Sequence, residues 1–161
     1  MIFKIILGLI IAYIIVRSII PFIIFPGYLF NYKIKRTPNI KKIAKTLKGK
    51  TKEKTLRNIF KYVIRNHSGL LGSTKRFFIL KNAFLNDIEK LLENKIYLYC
   101  HNSNLMMKTL LVNTKQFNEE DIEAKWELGT NLGVHQYLLI SSDKNTFKVD
   151  PFFRILERLK K

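Results

Sequence analysis

The constraint that most limits this chain is its N-terminus. Ile5 to Val16 is an unbroken apolar run, Arg17-Ser18 interrupts it, and Ile19 to Phe25 resumes it. Those 21 residues, wound as one helix, match the ~30 Å hydrocarbon core of a bilayer. Arg17 lies past the middle, at an insertion cost of roughly 2.5–3.5 kcal/mol that falls if its long side chain snorkels. Pro21 and Pro26-Gly27 mark a kink and then an exit. A cleaved signal peptide is the rival, with Lys4 as its charged start, but no small-x-small cleavage site follows. The expectation is an N-terminal membrane anchor over residues 1–30, a single-pass transmembrane helix.

Charge divides the rest. The chain carries +17 from 29 Lys and Arg against 12 Asp and Glu. Residues 31–60 hold eleven of the bases and one acid, Glu53. A cationic stretch directly after an apolar span points to an anionic membrane surface. Lys33, Lys35, Arg36, Lys41 and Lys42 after the span, against Lys4 before it, lean the following domain toward the cytoplasmic side. Nucleic-acid binding is not expected, since no stacking aromatics interleave the bases. Residues 31–54 read as a basic linker, either a solvated tether or a membrane-surface helix over Ile40–Leu47 capped by Thr37 or Asn39.

Residues 55–161 read as one folded domain. Leu56, Ile59, Phe60, Val63 and Ile64 fall at helical spacing. His67 to Ser73 is a loop, and Asn66-His67-Ser68 matches a glycosylation acceptor. Leu85–Leu92 follows at helical spacing, and Ile96-Tyr97-Leu98-Tyr99 is a short extended approach to Cys100, the single cysteine. One cysteine excludes an internal disulfide, and with three scattered histidines it offers no paired zinc ligands. A helix is expected from about 101 to Asn113. It sets the thiol at a helix N-terminus, where the macrodipole favours thiolate. Residues 114–133 read as irregular, with the acids of 119–127 on a solvated turn and Trp126 packed inward.

Val134–Ser141 and Thr146–Asp150 read as strands around the turn Ser142-Asp143-Lys144-Asn145. Pairing Ser141 with Thr146 sets Tyr137 opposite Asp150. His135 then lies on the same face as Asp150, a diagonal neighbour within hydrogen-bond reach. A one-residue slip would separate them. Thiol, imidazole and carboxylate in this order are the parts of a nucleophilic triad: Cys100 attacks an acyl carbon, His135 moves the proton, and Asp150 orients the imidazole.

Cys100, His135-Gln136-Tyr137-Leu138-Leu139 and Val149-Asp150-Pro151 resemble the transglutaminase-like superfamily of papain-like cysteine enzymes. In that family a Cys opens a helix, a His sits on a strand, and an Asp-Pro ends the next strand. The resemblance spans roughly 55–155. Tyr99 and His101 depart from the Gly before and the aromatic or acidic residue after the family's cysteine. No residue carries over as an oxyanion side chain; the Cys100 amide is a candidate on general grounds. The resemblance implies an α+β papain-like core with a small antiparallel sheet, and a cysteine acyl-transfer enzyme that hydrolyses an amide (protease or amidase) or passes the acyl group to an amine. Its substrate would be a protein or peptide-like amide, with no cofactor; some members of the family use calcium, but the sequence holds no dedicated calcium-loop pattern. Membrane lipid would be met through the N-terminal helix and basic linker. The alternative is a catalytically inactive membrane-tethered binding module of the same fold.

Overall fold

The structure, a computed structural model, describes residues 2–19, 23, 33–67, 87–93, 98–128, 134–143 and 145–159. It is α+β. The elements are α1 (Ile2–Ile14), a π-helical turn (Ile15–Ile19), α2 (Pro38–Leu47), α3 (Lys52–Asn66), α4 (Ile88–Glu93) and α5 (Cys100–Asn113). A 3-10 turn (Glu119–Asp121) leads into strands β1 (Ile122–Leu128), β2 (Val134–Ser142), β3 (Asn145–Asp150) and β4 (Ile155–Leu159). The strands form one antiparallel sheet in chain order. Ser68, which completes the glycosylation tripeptide begun by Asn66, the start of the 85–92 helix, and Ile96-Tyr97 lie outside the described residues, as do Pro21 and Pro26-Gly27.

The apolar N-terminus is helical but not a single long helix. The α-helical hydrogen-bond pattern stops at Ile14, so α1 has 13 residues and spans about 20 Å. No helix among the described residues is long and apolar enough to cross a membrane. The large apolar side chains of α1 are nonetheless 39–75% exposed.

Residues 33–54, expected as a linker, contain packed structure. Thr37 caps α2, its Oγ1 accepting from the Ile40 amide at 3.4 Å, and Pro38 fills the first turn, where no amide is needed. Ile40 and Ala44, one turn apart, are fully buried in the core, and Ile34 joins them. Thr51 caps α3 in the same way, accepting from Lys54 N at 3.1 Å, and Leu56, Ile59, Phe60 and Val63 form its buried stripe. Replacing Ile40 with alanine is therefore expected to destabilise the domain by about 2–5 kcal/mol in denaturant unfolding. A solvated tether would show under about 0.5 kcal/mol.

Both helices pack on α5, and β2 packs on it as well. That central position explains the composition of α5. A helix buried on most sides needs no polar face, and eleven of its residues are buried, Met106, Met107, Leu110 and Leu111 completely.

The β2–β3 hairpin has the expected register, Ser141 opposite Thr146 and Leu138 opposite Val149. Asp143 sits at φ 54°, the left-handed conformation that a two-residue hairpin turn requires and that Asp tolerates. The expectation for 114–133 is corrected. Residues 122–128 are an edge strand paired with β2, and Trp126 is 54% exposed rather than packed inward. Ile122 and Ala124 alternate with Glu123, Lys125 and Glu127, a period of two carried by a strand with few apolar residues. The β4 edge strand had no sequence expectation at all.

Candidate functional site

Cys100 is the first residue of α5 and is buried. Tyr99 occupies the N-cap with extended backbone and makes no side-chain cap hydrogen bond. The positive end of the helix macrodipole therefore lies at the thiol without a capping carboxylate or hydroxyl to offset it. Leu98, fully in the core, fixes the approach, and the Ser103 hydroxyl donates back to Tyr99 O at 3.0 Å, tightening the first turn. His101, next to the thiol, stacks its ring on Tyr99 at 5.9 Å between centroids. Burial raises the Tyr99 phenol above its ordinary value, and the charge of Cys100 adds to the rise.

His135 and Asp150 come from adjacent strands. One step beyond Leu138 opposite Val149, the register sets Tyr137 opposite Asp150, so His135 is the diagonal neighbour. His135 Nε2 lies 2.6 Å from Asp150 Oδ2, with both residues buried. The carboxylate's other oxygen, Oδ1, accepts from the backbone amides of Phe152 and Phe153, each at 3.1 Å. Asp150 thus closes the turn after β3 with one oxygen and orients the imidazole with the other. That turn folds Phe152 and Phe153 onto the histidine, with ring centroids 5.7 and 4.6 Å from the imidazole. His135 and Asp150 alternate along their strands with the core residues Leu138, Ile140, Phe147 and Val149. The two phenylalanine rings lie against the imidazole.

Cys100 completes the cluster through its hydrogen bond to His135. With Nε2 committed to Asp150, Nδ1 is the ring nitrogen left for the thiol, an assignment that follows from the hydrogen-bond network. Burial alone would pull the imidazole down. The Asp150 hydrogen bond, then the Cys100 hydrogen bond and charge, outweigh it and push His135 up to about 9. The three candidate residues, from a helix start and two strands, are therefore brought together. Glu127, directly across from His135 in the register, is turned to Lys148 at 3.2 Å and does not compete for the imidazole.

Sequence reasoning missed Asn104. It lies one turn after Cys100 and is buried, and its Nδ2 donates to Gln136 O at 2.9 Å and reaches Gln136 Oε1 at 3.3 Å. This ties the first turn of α5 to the residue after His135. Spacing alone held a signal: Cys100 and Asn104 are four apart, on one helix face. Asn104→Leu is expected to lower stability by about 1–3 kcal/mol, because the buried hydrogen bond to the Gln136 carbonyl is lost. Thermal unfolding beside Asn104→Asp, which buries a new charge and should lose more, checks this.

Among the described residues no group of three or more His, Cys, Asp or Glu could hold a metal ion. No protein-family model, no curated protein and no solved structure matches this chain.

Proposed function

We propose that this protein is a cysteine acyl-transfer enzyme with a papain-like, transglutaminase-like core. Cys100 is the nucleophile, His135 the general base and acid, and Asp150 the residue that orients the imidazole. The observation that carries the reading is the convergence of a buried thiol, imidazole and carboxylate in hydrogen-bonded order at a helix N-terminus. A buried Cys with no role would pack as a small hydrophobe, and would not share an imidazole whose far nitrogen is held by a carboxylate.

In the resting site the proton sits on His135 and the negative charge on sulfur. The sulfur attacks the carbonyl carbon of an amide, forming the C–S bond as the carbonyl π electrons move to oxygen. His135 then donates its proton to the leaving nitrogen as the C–N bond breaks, leaving an acylated Cys100. Water or an amine, deprotonated by the same imidazole, attacks that thioester and returns the thiol. The Cys100 backbone amide is the oxyanion donor this arrangement offers first. The N-terminal segment associates the enzyme with a membrane as the single-pass anchor expected from residues 5–25, with the domain on the cytoplasmic side. The exposed apolar surface of α1 supports association.

The test is acyl trapping. Incubating the full chain with an activated phenyl ester should place one acyl group on Cys100, read by intact mass and peptide mapping, and Cys100→Ala should remain unmodified. Added amine should accelerate loss of the acyl group if transfer is the reaction, and leave it unchanged if hydrolysis is. Failure of the native protein to acylate, while the unfolded chain does, would overturn the reading.

A further inference from the structure

The outer face of the α2–α3 layer carries a surface whose charge the core does not require. α2 turns Ile40 and Ala44 inward and α3 turns Leu56, Ile59, Phe60 and Val63 inward, and both helices pack on α5. Their opposite faces therefore point away from α5. On α3 those positions are Lys54, Arg57, Lys61 and Arg65, every fully exposed residue of the helix, at the spacing of one stripe. On α2 and just after it they include Lys42, Lys45 and Lys48. From residue 33 to residue 67 there are thirteen bases and one acid. That acid, Glu53, is bound to Arg57 at 2.7 Å, and Lys35 holds Asp87. Lys42, Lys45, Lys48, Lys54, Lys61 and Arg65 have no ion-pair partner among the described residues. Glu119 and Glu120 lie beside Arg36 and Lys41 at the edge of this surface, where they bound it. Of the remaining acids, Glu89 and Glu93 lie on α4, Asp121 holds Lys52 at 3.4 Å, and Glu123, Glu127, Asp143, Asp150 and Glu157 belong to the sheet and its turns.

We infer that this α2–α3 face docks on an anionic lipid bilayer and turns the sheet, with its thiol site, toward water. A bilayer is the partner because the same chain carries, at its N-terminus, a helix whose large apolar side chains are exposed. Apolar insertion and a cationic face are the two signals that together give stable attachment. Since α5 lies between this face and β2, the layer order directs the site to substrates arriving from the aqueous side rather than to lipid acyl chains. The inference deepens the membrane part of the proposed function and does not depend on its chemistry.

The test is flotation of the full chain with vesicles of phosphatidylcholine alone and of phosphatidylcholine with one third phosphatidylglycerol. Binding should be tighter on the anionic vesicles and weaken with added salt. Replacing Lys45, Lys54, Lys61 and Arg65 with glutamine should reduce anionic binding by about fivefold per charge, at unchanged melting temperature. Lys125→Gln with Arg158→Gln, on the sheet, should change little. Trp126, the single tryptophan, lies on the sheet, and brominated lipid should leave its emission unquenched. Equal binding to both vesicle types would overturn the inference while leaving N-terminal anchoring intact. Binding to anionic vesicles alone, reversed by salt, would uphold it while removing the anchor. Quenching of Trp126, or unchanged anionic-vesicle binding in the glutamine variant, would also overturn it.

Discussion

Asp150→Ala is expected to be the most damaging single substitution in the domain, lowering stability by about 3–5 kcal/mol in denaturant unfolding. Asp150 is almost fully buried and serves three partners at once, His135 Nε2 and the amides of Phe152 and Phe153. Alanine leaves the imidazole without its counter-charge and both amides without an acceptor. It also frees the turn that holds Phe152 and Phe153 over the histidine. Asp150→Asn separates these roles. Its oxygen can still accept from the two amides, so most stability should remain. Its amide nitrogen must donate to Nε2, which forces the proton to Nδ1 and blocks the thiol's route to the base.

The same pair predicts a pH dependence. His135 is raised in the folded protein to about 9 from an ordinary 6.5. A group raised on folding stabilises fully below its unfolded value, and that contribution disappears as pH rises through the folded value. Wild-type stability relative to His135→Asn should therefore be greatest below pH 6.5 and decline toward pH 9. Chemical unfolding of both proteins at each pH measures the difference. A constant difference would show that no charged imidazole is held in the fold.

His135→Ala should change the chemistry of Cys100 more than it changes the fold. On the proposed site, alkylation of the native protein should persist well below neutral pH, because His135 is raised to about 9 beside a sulfur at a helix start. Without the imidazole, the midpoint of alkylation against pH should move up to about 8.5, the ordinary thiol value. Turnover of any acyl substrate should fall by roughly a hundredfold to ten-thousandfold, the range general acid–base catalysis supplies. Iodoacetamide kinetics on both proteins across pH give the first number directly, since Cys100 is the only thiol.

The pairing of His135 with Asp150 was legible because strand parity and hairpin register are arithmetic once the turn is placed. The turn was signalled by Ser142-Asp143-Lys144-Asn145, and its register is the one observed. The start of α5 was legible from the polar run His101-Asn102-Ser103-Asn104 preceding apolar residues. What composition obscured was structure made by tertiary packing. Residues 33–54 look like a tether because lysine dominates them, yet Ile34, Ile40 and Ala44 are enough to seat α2 on α5. Glu123, Lys125 and Glu127 hid β1, since an edge strand solvated on one face needs apolar side chains only at alternate positions. Asn104 was only half legible: its spacing puts it on the helix face of Cys100, but its bonding partner could not be read. Its partner is a backbone carbonyl 32 residues away, and no local pattern announces such a bond.

The most direct test of the thiol–imidazole–carboxylate account is the ultraviolet absorbance of thiolate, taken as wild type minus Cys100→Ala while pH is raised from 5 to 10. If the three groups form a working site, the thiolate band is present at pH 6, and His135→Ala removes it there. If the band instead rises only with a midpoint of about 8.5 in wild type and His135→Ala alike, Cys100 is an ordinary buried thiol and the account is wrong.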